Sequence, residues 1–209
     1  MSRHMHEKED VKDILDAMAE WIDLTARSGM VSYGDLIEQI HDRTEDELGG
    51  VDEPMMQKFA DRARAAVDAR EKLESGWPAV TTNDKIDAAF KELNEAGIIA
   101  LQGAGYTMSD GWDEANDIAA TLATPPRGAV FYHWQDLERG VKGEGLWLAY
   151  GAYVEGEGHE QASLAIAAEA CEALRRHGVA VTFRGNIEER IFIEPFSWQR
   201  RFRAEDPEA

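Results

Sequence analysis

The side chains best suited to chemistry cluster at one step of the chain, Tyr132, His133, Trp134, Gln135 and Asp136, with Tyr150 a short way downstream. A histidine three residues ahead of a carboxylate can work as an acid–base pair, the imidazole exchanging a proton while Asp136 orients it or a substrate. The same spacing has a plainer and commoner reading, in which His133 caps a helix and the motif is structural. Both readings place these residues where a strand hands over to a helix, an edge that holds polar groups rigidly within reach of solvent.

Other chemistry is limited by what the sequence lacks. It has no Gly-x-Ser-x-Gly elbow, no His-Glu-x-x-His helix, no paired Cys-x-x-Cys, no Walker loop and no calcium-binding loop. Gly103, Ala104, Gly105 and Tyr106 resemble a phosphate-cradling turn, but the third glycine of the dinucleotide fingerprint is missing. Asp110, Asp113 and Glu114 would also repel an anion there. The acidic turn with Glu155, Glu157, His159 and Glu160 has oxygen ligands and one imidazole, yet its glycines favour a solvated loop. No catalytic residue, metal ligand or cofactor is assigned.

The elements that must position the step can be read on either side of it. Ala129 to Tyr132 and Leu146 to Tyr150 are short apolar runs rich in β-formers, which predict strands at 129–133 and 146–153 around a short helix. The second run scarcely alternates, so it is expected inside a sheet and covered on both faces. Further strands are expected at 98–102, 179–184 and 190–194, the last two joined through Gly185 and Asn186. Strands separated by helices are expected to run parallel and the final pair antiparallel, giving a mixed sheet. Helices are expected from Thr81, from Trp112 to Leu122, and from Glu160 to Gly178, with Cys171 on the apolar face of the last.

Residues 1–76 read as a helical segment. Val11, Ile14, Leu15, Met18, Trp21 and Ile22 recur at helical spacing, and Ser28 and Gly29 end that helix. Ser32 to Asp35 starts a second helix. Pro54 opens a third that runs to Glu74, with Met55, Phe59, Ala63, Ala66, Val67 and Leu73 as its buried stripe. Ser75, Gly76, Trp77 and Pro78 mark the boundary with a second domain, 77–209. The fold class expected is α+β: a helical N-terminal segment packed on a mixed, roughly five-stranded sheet with helices, ferredoxin-like in style.

Charge restricts the partners. The 209 residues hold 41 Asp+Glu against 22 Lys+Arg, a formal net charge of -19. Residues 1–76 carry 19 acidic and 10 basic side chains and residues 77–209 carry 22 and 12, so both parts are acidic. Direct nucleic-acid or anionic-membrane binding is not expected from such a surface. A helix pair with Asp35, Glu38 and Asp42 on its second helix is not expected to read DNA either. No apolar run approaches the ~20 residues of a membrane span. The opening MSRHMHEKED lacks a leader pattern, and the single Cys171 cannot pair within the chain, so a cytoplasmic protein is expected. The basic tail with Trp198, Arg200, Arg201, Phe202 and Arg203 is expected to fold back onto the protein's own carboxylates.

Three sets of residues carry a resemblance: Trp77, Val80, Thr81 and Asp84; Tyr132, His133, Gln135 and Asp136; and Gly145, Leu146, Leu148, Ala149, Tyr150 and Gly151. Through them residues 77–200 resemble an uncharacterised bacterial domain-of-unknown-function family. The resemblance implies no established activity. Many members of that family carry a cysteine cluster after the first strand, where this chain has Gly103 to Asp110, so no metal or redox role comes with it. More loosely, the acidic α+β part is similar in style to a ferredoxin-like bacterial regulator that inhibits an RNA-degrading endonuclease, a likeness of fold alone.

Two functions are consistent with this sequence. The first is a non-enzymatic acidic binding protein that engages and inhibits a basic protein partner, as immunity proteins and nuclease inhibitors do. The second is a small-molecule sensor or enzyme with a pocket beside Tyr132, His133, Gln135, Asp136 and Tyr150. The second requires those side chains to line one solvent-reachable concavity.

Overall fold

The computed structural model describes residues 2–203, with side chains from Val11 onward, so the polar opening stretch and the acidic C-terminal end lie outside the side chains described. The chain divides into two compact units. One holds the described residues up to Trp77 with those from Arg200, and the other is Pro78–Gln199. Among the described residues no helix is long and apolar enough to cross a membrane.

The first unit contains α1 (Ser2–Ser28), α2 (Tyr33–Leu48) and α3 (Glu53–Glu74). Ser32 and Asp35 close a capping box at the start of α2, Ser32 Oγ accepting from the Asp35 N–H at 3.0 Å. Asp52 caps α3 by accepting from the Met55 N–H at 2.9 Å. Met18, Ile22, Leu36, Ile40, Phe59, Ala63 and Val67 form the core, with Met55 and Met56 partly buried against it. Each large side chain here stabilises the fold by roughly 1.5–3 kcal/mol through burial. Leu73, expected in the buried stripe, is 65% exposed, because the stripe of α3 that meets α1 and α2 ends a turn earlier at Val67 and Arg70. Buried Arg70 donates to the Ala26 carbonyl at 3.1 Å. Of the basic tail, Arg200 is buried and the Arg201 guanidinium lies over the Trp77 ring at 5.6 Å.

The second unit runs α4 (Thr82–Glu95), β1 (Ile98–Gln102), α5 (Met108–Thr121), β2 (Gly128–Tyr132), α6 (Trp134–Lys142), β3 (Leu146–Ala152), α7 (His159–Arg176), β4 (Val181–Thr182) and β5 (Ile191–Ile193). The sheet is mixed and five-stranded, in the order β1-β2-β3-β5-β4, and the fold is α+β. β1 and β2 are parallel neighbours joined through α5; a split βαβ unit of the ferredoxin kind would place another strand between them. β2 and β3 were expected to be parallel but are antiparallel. The nine residues of α6 span only ~13 Å, too little to return the chain along β2, so β3 starts near where β2 ends. The final hairpin is antiparallel as expected, though β4 keeps only two residues in the ladder.

The faces of the sheet are covered unequally. Against β1, α5 packs Trp112 and Ala115 on Ile99, Leu101, Ala129, Phe131 and Ala149. Helix α5 begins four residues before the expected Trp112, because Thr107 and Asp110 form a capping box. Gly111 must lack a Cβ there, since one would overlap the Phe131 ring. The opposite face packs on α4 and α7, with Tyr132 against Phe90 and the Gly128 position against Ile166. β3 is interior, as expected, but only partly covered on the α5 side. Trp147 shares the face of Ala149, and its register partner Phe192, with Thr182 beyond, continues that face past the reach of α5.

Candidate functional site

His133 is the N-cap of α6, and its Nδ1 accepts from the Asp136 N–H at 3.3 Å. With Nδ1 accepting, the neutral ring carries its proton on Nε2, which lies 3.0 Å from Asp136 Oδ2. Burial pushes the His133 pKa below its ordinary value, partly offset by the Asp136 charge and reinforced by Arg190 and Arg139. The imidazole is therefore neutral near pH 7. It is 4% exposed, with Nδ1 bonded to backbone and Nε2 beside the Asp136 carboxylate.

Asp136 is fully buried and gathers three partners. Arg190 meets it with a fork, Nη1 to Oδ2 at 2.7 Å and Nη2 to Oδ1 at 3.0 Å. Arg139, one turn along α6, reaches Oδ1 at 3.4 Å. The carboxylate thus ties the start of α6 to the residue that leads into β5. Bidentate, charge-assisted contacts of this kind set direction as well as energy.

The other residues of the step serve packing and backbone pairing. Tyr132 is buried, donates to Gln102 Oε1 at 2.9 Å, and meets Trp198 edge-on with ring centroids 6.1 Å apart. The N–H groups of Trp134 and Gln135, orphaned at the start of α6, donate to the carbonyls of Gly105 and Tyr106 at 3.0 and 3.4 Å. The glycine turn therefore offers carbonyls to this helix, while the Gly105 N–H goes to Glu114 Oε2 at 2.8 Å. Tyr150 lies on the α4/α7 face, donates to the Asn186 carbonyl at 3.1 Å and meets the Phe183 ring edge-on. Tyr132, His133 and Asp136 are buried, and none of the six residues is in the lining of the cleft that opens beside this step. Among the described residues no three His, Cys, Asp or Glu side chains are arranged to hold a metal.

Beside this step lies an open cleft of ≈ 680 Å³ on the uncovered half of the sheet. Its floor is Trp147 stacked on Phe192, with ring centroids 4.0 Å apart at 22°, and Thr182 next in register. Gly145, at φ +84, admits the Phe192 ring where a Cβ would overlap it. Arg139 and Arg190, the two arginines held by Asp136, form part of the wall, and Arg190 lies 5.6 Å over the Trp147 ring. Across from them the segment between β4 and β5 contributes Arg184, Glu188 and Glu189.

Sequence reasoning placed Asp136 at the site but missed the arginines it orients. Arg190 is 54 residues away, and no local pattern links the two. The Trp147 and Phe192 pair could have been found only by aligning two strands whose register the sequence left open.

No curated protein and no solved structure matches the chain. A family model described as Domain of unknown function (DUF6891) matches residues 11–202. The match runs from α1 into the tail, so it takes in both compact units and is wider than the 77–200 span of the expected resemblance. On that coverage the chain belongs to the DUF6891 family, a domain of unknown function.

Proposed function

We propose that this chain is a non-enzymatic binding protein that engages a basic protein partner and inhibits it. The observation that carries this reading is the outer face of α2. Asp35, Glu38, Asp42, Glu45 and Asp46 fall on one side of that helix and are all exposed. Among the described residues none of the five is in an ion pair, and nearby arginines are held elsewhere. Arg43 binds Glu47 at 2.6 Å and lies over the Trp21 ring, Arg62 binds Asp23 at 2.6 Å, and Arg64 lies 3.6 Å over the Tyr33 ring.

An uncompensated ridge on a chain of net charge -19 attracts a cationic surface and speeds encounter. At physiological salt the field reaches about 8 Å and shrinks further as salt rises. The His133 and Asp136 arrangement supports binding over acid–base work, because both groups are occupied in holding α6 and two arginines.

The test is a pull-down at low and high salt with the full chain and with a variant carrying Glu38→Gln, Asp42→Asn and Glu45→Gln. The expected result is a basic protein retained at low salt and released both by high salt and by the variant. No retained protein, or one held equally by the variant, overturns the reading.

A further inference from the structure

We infer that the cleft between α6 and the β4–β5 segment is a binding site for a free amino acid with an aromatic or large apolar side chain. Its volume of ≈ 680 Å³ lies inside the range of about 300–1,000 Å³ that small-ligand sites occupy. The floor is an aromatic platform, Trp147 on Phe192, that is only partly covered by the protein itself. An apolar body laid on it would remove surface that the fold leaves in water.

The walls carry both signs of charge. Arg139 and Arg190 share the single carboxylate of Asp136, so one positive charge is left over on that side. Arg190 gives Asp136 one proton from each terminal nitrogen, and Arg139 makes only one long contact, which leaves donors for a ligand carboxylate. The buried, neutral His133 beneath adds no charge to this count. On the lining, Arg184 and Glu189 answer one another at 3.5 Å. Glu144 and Glu188 also line the cleft and are in no ion pair among the described residues.

A simple anion entering here would face Glu144 and Glu188, and a simple cation would face Arg139 and Arg190. A ligand carrying a carboxylate and an ammonium on an apolar body meets both sets and the floor. That is the chemistry of a free amino acid such as phenylalanine. The site lies in Pro78–Gln199, so it stands or falls independently of the ridge on α2.

The test is titration of the full chain with phenylalanine, followed by calorimetry and by amide and indole chemical shifts. N-acetylphenylalanine and phenylalaninamide serve as ligands lacking one charge each. Saturable binding with shifts at Trp147 and Phe192 is expected, with each analogue weaker by about tenfold or more, the scale of a lost hydrogen bond to a charged group. Arg139→Gln leaves Arg190 to hold Asp136, and Thr182→Trp fills the floor at an exposed position; each should weaken phenylalanine by a similar factor while far-UV circular dichroism and cooperative thermal unfolding are retained. Absence of saturable binding, shifts confined to other surfaces, or an analogue as tight as phenylalanine overturns the inference.

Discussion

Arg190 holds Asp136 through two parallel N–H···O bonds of 2.7 and 3.0 Å, although the carboxylate has no exposed surface of its own. Removing the guanidinium leaves a buried charge with only a 3.4 Å contact from Arg139 and a neutral imidazole. Arg190→Ala should therefore cost about 3–5 kcal/mol in denaturant unfolding. Replacing both partners by apolar residues, as in Asp136→Leu with Arg190→Met, should recover much of that loss. A loss in the double variant equal to the sum of the losses in Asp136→Leu and Arg190→Met alone would show that the pair is not coupled.

The state of His133 sets a dependence on pH. Its folded-state pKa lies below the ordinary 6.5, first because of burial, then with Arg190 and Arg139 opposing the charged form while Asp136 and Asp110 favour it. A depressed value means that the unfolded chain binds the proton more readily. The stability contributed by neutral His133 is thus complete above about pH 6.5 and declines as pH falls through the folded-state value. His133→Asn keeps a cap acceptor without titrating, so its stability should fall less steeply between neutral pH and pH 5 than that of the parent. Parallel curves would refute this assignment.

Cys171 is 2% exposed on α7, and burial raises its thiol pKa. Little thiolate forms near neutral pH, and reagents cannot reach it. The native protein should react with Ellman's reagent only at the rate of opening, whereas the denatured chain should release one equivalent promptly. Fast labelling of the native protein would contradict its place in the core.

Gly128 begins β2 where a Cβ would overlap the Gly151 carbonyl and crowd Ile166. Backbone cannot move aside as a flexible side chain can. Gly128→Ala should cost roughly 1–3 kcal/mol by overpacking, read as a lower thermal midpoint. Gly143→Ala provides a contrast, since nothing lies within 4 Å there and only its φ of +85° opposes the change.

What could be read in advance divides along the range of the forces involved. Short-range signals were legible: Ser32 with Asp35 and Thr81 with Asp84 mark helix starts that the structure has as capping boxes. Apolar runs likewise located β1, β2 and β3 to within a residue or so. The Thr107 and Asp110 box had the same form but was passed over, because the glycine turn just before it drew the nucleotide comparison. Direction and register were not legible. Whether β3 runs with or against β2 depends on how far nine helical residues carry the chain, and the convergence of Arg139 and Arg190 on Asp136 depends on both. The meeting of Trp147 with Phe192 depends on which strand lies beside β3, a choice settled by the whole sheet.

At its outer edge the sheet ends in β4, with only Val181 and Thr182 in the ladder and Arg184 close behind. A second molecule seeking to extend the sheet there finds few free peptide groups, with a charged side chain beside them. Copies of so acidic a chain also repel one another before such an edge could be reached. A short last strand beside a bare aromatic floor thus lets the protein leave Trp147 and Phe192 open to small solutes without making that face a template for growth of fibres in a crowded solution.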